Sequence, residues 1–457
     1  MAAIAFVVAL VIGLATGYYV YPVVVPTTEE ALQNALDSAN ARISDLQGDV
    51  SDLQGDVSDL QAQLAAVPKL EGDIPIGLLL SLSGSLATFG ENEFEAVKLA
   101  ASEANEWLTD SGYDFQILLI PEDTATDPDI ALEKLEVLAA QGVKVVLGPL
   151  SSSEVTNIKG FADANDILIV SQSSTAITLA IEGDNVFRFT TDDRIQAPVA
   201  ALLAEQAGLT HVVPVWRRDT YGDGLSAAAR EAMEGRGITV LEGIGYDPAV
   251  AETVGFGAEP AALAETVQSL VDDFGVDNVG VYFVAFETDA LDMLQKASEF
   301  PILTQVTWIG SDGTAVSGSL LTDPVASEFA DVTTFTNPIA GATKSTEWTR
   351  VTEILEGILG RTLDPYSHNM YDMLWVVVHS ILAAGEYDTA KIKGVLPQVA
   401  DDYFGASGWT RLNAAGDRAI SDYDLFEIRL VNGERDWVLV GVYNAATEGI
   451  TWFEEPE

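Results

Sequence analysis

Two runs of small hydroxyl residues are the most chemically suggestive feature of this 457-residue chain. Gly148-Pro-Leu-Ser-Ser-Ser-Glu154 follows the apolar run Val143–Leu147 and opens a helical pattern. Ser151, Ser152 and Ser153 would present hydroxyls and free N–H groups at a helix N-terminus, where the dipole favours an anion. Gln172-Ser-Ser-Thr175 closes the next apolar run, Leu168–Ser171, with a second set of hydroxyls. Ligands of open parallel sheets bind at such carboxyl edges. Either run alone could simply cap a helix; two adjacent strands ending alike favour a binding edge.

Signatures of catalysis are missing from the sequence. There is no Gly-x-Ser-x-Gly elbow, phosphate loop, dinucleotide fingerprint or His-Glu-x-x-His helix. The three histidines, His211, His368 and His379, are dispersed and read as structural, and there is no cysteine. No transition-metal site or cofactor is therefore expected. Asp123, Asp127 and Asp129 lack the glycine and distal glutamate of an EF-hand and read as turn acids. The chain reads as a non-enzyme.

The elements that must carry these runs alternate. Apolar strands are predicted at Ile74–Leu80, Phe115–Ile120, Val143–Gly148, Ile167–Ser171, His211–Trp216, Thr239–Ile244, Val279–Ala285 and Thr307–Ile309, with helices between, for example 92–108 and 130–141. Continuous apolar strands alternating with helices predict parallel sheets covered on both faces. That is too many strands for one small sheet, so two α/β lobes are expected.

Ahead of this body lie two different segments. Residues 1–28 carry no charged side chain, and Ala2–Tyr21 is long enough as a helix to cross a bilayer. Tyr18, Tyr19 and Tyr21 sit at one end like an interfacial belt. A membrane anchor is expected, with a cleaved signal peptide as the alternative. Then Ile43, Leu46, Val50, Leu53, Val57, Leu60, Leu64 and Val67 alternate spacings of three and four, the seam of a coiled coil. Residues 29–68 read as a stalk ended by Pro68, able to form a homodimer. The chain holds 70 Asp+Glu against 22 Lys+Arg, a net charge of −48. That excludes nucleic acid as a partner and suits a protein displayed outside the cell membrane.

A family resemblance runs through the body. Ile76-Gly-Leu-Leu-Leu-Ser-Leu-Ser-Gly-Ser-Leu-Ala-Thr-Phe-Gly90 resembles the opening of type I periplasmic binding proteins of the branched-chain amino acid class. Glu122–Pro128, Gly148–Ser153, Val186–Thr190, Asp219–Gly224, Gly310–Gly313 and the stretch from Tyr366 to Asp372 match in order. The resemblance covers about residues 73–457, and its implications are specific. Two Rossmann-like lobes with parallel central sheets would be joined by three crossovers, near Thr190–Arg194, Thr333–Asn337 and Ile420–Tyr423. Lobe 1 would be 73–191 plus 337–419, and lobe 2 would be 192–336 plus 420–457. A small polar solute, an amino acid or related amide or carboxylate, would be trapped between them by hinge closure and passed to an ABC transporter permease. A ligand-sensing receptor domain and a cell-surface structural protein with a vestigial cleft are the other readings.

By position, Ser152 and Ser153 resemble the family's carboxylate-binding serine and its neighbour. Thr175 resembles the hydroxyl partner, and Ser174 a residue offering backbone contacts. Asp312 stands where the family places an acid for the ligand ammonium; Tyr221 and Phe89 resemble side-chain pocket walls. Phe286 stands where relatives often carry tyrosine. The family's lipid-anchor cysteine is absent, its place taken by the apolar N-terminus.

Overall fold

The computed structural model describes residues 29–66 and 70–453. The expected anchor, 1–28, lies outside them. Among the described residues no helix is long and apolar enough to cross a membrane. Residues 29–66 and the body from Lys69 onward are separate compact units. The first is one continuous helix, Glu29–Ala66. The structure bears out the helix itself; pairing with a second copy is a separate matter taken up below.

The body is built on three sheets. The first contains β1 (Gly72–Leu80), β2 (Phe115–Asp123), β3 (Val145–Leu147), β4 (Leu168–Ser171) and β5 (Val186–Arg188). All its pairings are parallel, in the order β2-β1-β3-β4-β5. The strand order reverses between β1 and β3, so the chains leaving their carboxyl ends run to opposite sides, the topology at which open sheets bind ligands. The helix Pro365–Ala384 packs against the same core, through Met370, Leu374 and Val377.

A second sheet contains β6 (His211–Arg217), β7 (Thr239–Val240), β8 (Ile244–Tyr246), β9 (Val279–Val284) and β10 (Thr307–Ile309). Its order is β10-β9-β6-β7, with β8 also on β6, again all parallel. The single strand expected over Thr239–Ile244 is two. Pro214 lies mid-β6 and has no N–H to donate. Beside it the partner chain bulges at Leu241–Gly243, where Gly243 takes φ +77° and a Cβ would meet Pro214 O at 2.2 Å.

The third sheet was not anticipated, because only parallel sheets were expected. β11 (Asn337–Ala340) precedes a small hairpin, β12 (Phe404–Gly405) with β13 (Gly408–Trp409). β14 (Tyr423–Val431), β15 (Glu434–Asn444) and β16 (Gly449–Trp452) then join β11 in an antiparallel sheet, β11-β14-β15-β16. Ile339, Leu425, Ile428 and Trp437 extend the core beneath the second sheet.

Candidate functional site

Six strand ends converge on one pocket. It is lined by Leu86, Phe89, Leu150, Ser151, Ser152, Ser173, Thr175, Tyr221, Phe286, Asp312, Gly313 and Tyr366, around about 300 Å³ of empty space including the mouth. Leu86 and Phe89 follow β1, the serines 151 and 152 follow β3, and Ser173 and Thr175 follow β4. From the second sheet come Tyr221 after β6, Phe286 after β9 and Asp312 after β10.

Gly148 lets the serine loop lie against β1. Its φ is +96°, and a Cβ there would sit 2.0 Å from Leu79 O. Ser151 caps the helix Ser152–Ala164: its Oγ accepts from Glu154 N (3.3 Å) while Glu154 accepts from Ser151 N (3.0 Å). The capping role therefore falls to Ser151, leaving Ser152 and Ser153 free of it. Ser152 Oγ accepts from Thr175 N (3.2 Å) and Ala176 N (3.1 Å) and lies 3.2 Å from Ser174 Oγ. Two backbone N–H groups after β4 thus hold the Ser152 oxygen as acceptor, which leaves its O–H to donate to an oxyanion. Thr175 Oγ1 and Ser153 Oγ are buried and make no hydrogen bond within the protein.

Asp312 forms the opposite pole. It is buried, and accepts from Tyr221 OH at 2.5 Å and Tyr366 OH at 2.7 Å, while its N–H donates to Gln196 Oε1 at 3.0 Å. Burial pushes its carboxyl above the usual range, opposed by the two tyrosine hydroxyls. Asp193, also buried, is pushed well up by burial and then by the charge of Asp312. No cationic side chain bonds to Asp312 among the described residues. A buried carboxylate held only by neutral donors suits a ligand cation that brings its own charge.

Aromatic rings close the sides. Phe286 stacks on Tyr221 with centroids 5.2 Å apart and planes 20° apart. On Phe286 the Arg217 guanidinium lies 3.6 Å from the ring centroid. Arg217 is held by Asp219 (2.6 Å) and Asp289 (3.1 Å), so an ion-paired cation backs the pocket wall. Phe89 meets Tyr366 at 6.1 Å.

Bonds also run between the two edges. Thr88 Oγ1 donates to Glu287 Oε1 (2.9 Å), Glu287 N to Ser85 O (3.1 Å), and Tyr366 to Asp312.

Of the residues singled out from the sequence, Phe89, Ser152, Thr175, Tyr221, Phe286 and Asp312 line the pocket together. Ser153 and Ser174 do not line it; Ser174 instead lies behind Ser152. Ser151 and Ser173, members of the two hydroxyl runs, also line it, whereas Leu86, Leu150, Gly313 and Tyr366 were not among the site candidates. Tyr366 was visible only as part of a helix, and nothing local marks it. The acids 123 and 127 serve turns: Asp123 accepts from Ser83 and Ala125, and Asp127 caps the helix Pro128–Ala140. His211 stacks on Phe274, His368 bonds to Thr352, and His379 lies between Trp107 and Trp375.

Two parallel sheets presenting their carboxyl edges to one enclosed pocket define a solute-binding protein, and the comparisons agree. Residues 73–434 match the periplasmic binding protein family, and the chain belongs to it. That family is one of binders rather than enzymes, and Leu/Ile/Val-binding proteins are among the relatives. An uncharacterized protein of Methanocaldococcus jannaschii is 33% identical over 400 residues, 84% of this chain and 92% of that protein. The Leu/Ile/Val-binding protein BraC3 of Rhizobium johnstonii is 24% identical over 368 residues, 80% of this chain and 94% of that one. Among solved structures, a leucine-binding protein from Thermotoga maritima superposes with TM-score 0.68 at 18% identity, over 80% of this chain and 97% of its own. That likeness speaks for the fold.

Proposed function

We propose that this chain is an extracytoplasmic substrate-binding protein that captures an amino acid or a related amide or carboxylate and delivers it to an ABC importer. The observation that carries this reading is the placement of two unlike poles across one pocket. The Ser152 hydroxyl, held in place by the Thr175 and Ala176 N–H groups, would donate to the ligand carboxylate. Asp312, with its two tyrosines, would receive an ammonium. Phe89, Tyr221 and Phe286 would wall the side chain. Ser174 would support the Ser152 hydroxyl through its bond to Oγ, and the unpartnered Ser153 hydroxyl would remain for the ligand.

On the expected division, 73–191 plus 337–419 and 192–336 plus 420–457, the two poles would stand on different lobes, with β11 at the boundary because it pairs with β14. A ligand touching both stabilises their closure, because only the closed state makes both sets of contacts. The apolar 1–28 segment would hold the protein on the outer side of the cell membrane. BraC3, a Leu/Ile/Val-binding relative, supports the ligand class.

A thermal-shift screen of amino acids, amides and short carboxylates tests this. A ligand at a hundred times its Kd stabilises the folded form by about 2.7 kcal/mol. No shift with any compound defeats the reading. Asp312→Asn should weaken an amino acid by about tenfold or more, roughly 1.4 kcal/mol, and leave a simple carboxylate nearly unaffected. Equal affinities for the amino acid would remove Asp312 from the ammonium role.

A further inference from the structure

The helix Glu29–Ala66 carries an apolar seam that no other described residue of its unit covers. Leu32, Leu36, Ile43, Leu46, Val50, Leu53 and Val57 are each between 42% and 62% exposed. In heptad terms the a positions are Leu36, Ile43, Val50 and Val57, and the d positions Leu32, Ala39, Leu46 and Leu53, with Leu60 and Leu64 continuing the spacing. A period of 3.5 residues held this long matches only another helix of the same period. The helix is also poorly suited to standing alone. Gly48 and Gly55 have no atom within 4 Å of a Cβ, so packing explains neither, and glycine, serine and aspartate weaken isolated helices.

We propose that residues 29–66 pair with a second copy of this chain as a parallel, in-register two-stranded coiled coil whose stability rises with salt. β-branched residues at a over leucine at d favour two parallel strands. The flanking rows fit that arrangement. Every e position is a neutral amide, Gln33, Asn40, Gln47, Gln54 and Gln61. The g positions include Arg42, Asp49 and Asp56. A parallel pair sets each g residue beside the e residue five positions on in the other copy. Asp49 then meets Gln54, Asp56 meets Gln61 and Arg42 meets Gln47, so no like charges face and no ion pair is made. An antiparallel pair instead brings g against g and can set Arg42 opposite Asp49.

Salt separates the two. Residues 29–66 hold eight acids and one arginine. Pairing two such helices concentrates negative charge along one rod, and the repulsion is screened over about 10 Å at 0.1 M salt and about 3 Å at 1 M. A parallel coil without ion pairs should therefore tighten with salt, whereas one joined by Arg42 and Asp49 gains least.

The test uses the full chain in detergent. Light scattering at 0.1 M and 1 M KCl should give a monomer–dimer equilibrium shifted toward dimer by about tenfold or more at high salt. The chain has no cysteine, so Ala39→Cys gives one thiol per copy. It should crosslink copy to copy under mild oxidation in the dimer. Leu53→Asp should abolish the dimer and leave the melting of the body unchanged. A monomer at both salt concentrations overturns the pairing. A dimer that weakens with salt, or that leaves Ala39→Cys uncrosslinked, overturns the parallel register. A dimer that survives Leu53→Asp overturns the seam. None of these outcomes depends on solute binding, which the thermal-shift screen reads separately.

Discussion

Arg217 is a buried ion-paired residue behind the pocket wall, and its surroundings set the size of the effect of removing it. Its side chain is 5% exposed and that of Asp289 is 0%. Nη1 lies 3.3 and 3.1 Å from the two Asp289 oxygens, Nε lies 2.6 Å from Asp219 and Nη2 3.5 Å from Glu252. Those four contacts hold its guanidinium over Phe286. In Arg217→Met the apolar volume against Phe286 is largely kept, so the loss is chiefly electrostatic. Asp219 and Glu252 are 13% and 32% exposed and can turn to water. Asp289 cannot; it keeps only Tyr246 OH at 2.5 Å and Phe286 N at 3.3 Å. Breaking a buried pair by removing one partner costs about 3–5 kcal/mol. Urea unfolding followed by tryptophan fluorescence at pH 7 should show a loss of that order. Asp289→Asn in the Arg217→Met background should recover part of it, with an interaction energy of about 0.5–3 kcal/mol in the double-mutant cycle. A loss under about 1 kcal/mol at pH 7, or strictly additive single variants, would refute the view that this pair backs the pocket wall.

Two further substitutions probe the site and its support. Tyr366→Phe removes a hydroxyl that donates to the buried Asp312 from across the pocket. Hydrogen bonds to charged groups contribute about 1.5–3 kcal/mol, so calorimetry with the solute found by screening should show affinity down about ten- to hundredfold; unchanged affinity would mean that the bound form does not use this bond. Glu93 is buried beneath the pocket beside Asp364 and Glu154, with Gln172 Nε2 at 2.7 Å. Burial first, then the charge of Asp364, holds its carboxyl well above the usual range. The folded chain therefore keeps this proton after the unfolded chain has lost it, and stability from this group falls as pH rises above about 4.3. Glu93→Gln should match the parent near pH 4 and exceed it increasingly toward neutral pH in urea melts. A gap that does not change with pH would contradict the assignment.

Local pattern made much of this molecule legible before any coordinates. Most of the strand–helix alternation from β1 to β10, with β5 and the division of β7 from β8 excepted, follows from continuous apolar runs bounded by polar turns, and that signal lives within a few residues of chain. The serine runs were readable because a loop that follows a strand and opens a helix has a known place at a sheet edge. Asp312 and Tyr221 were found by family resemblance rather than by any local property. Other features escaped for identifiable reasons. Leu241–Gly243 breaks the strand at 239–244 because of Pro214 on the neighbouring strand, 27 or more residues away in sequence. The antiparallel sheet joins β11 to β14 across more than 80 residues, a pairing that no window of sequence contains.

What the sequence determined by itself is therefore what depends on neighbours along the chain: the α/β alternation, the heptad seam of residues 29–66, the family, and the hydroxyl and acid residues that could hold a solute. What only the tertiary structure decided is how those groups are shared out. It assigned the helix cap to Ser151 and left Ser152 beneath two N–H groups from the next strand. It brought Tyr366 to Asp312 over a separation of 54 residues, and Arg217 to Phe286 and Asp289. The physical reason is that a buried polar group must find its partner wherever the fold supplies one. Partner choice at such a site is settled by distance in space, which residue spacing along the chain does not encode.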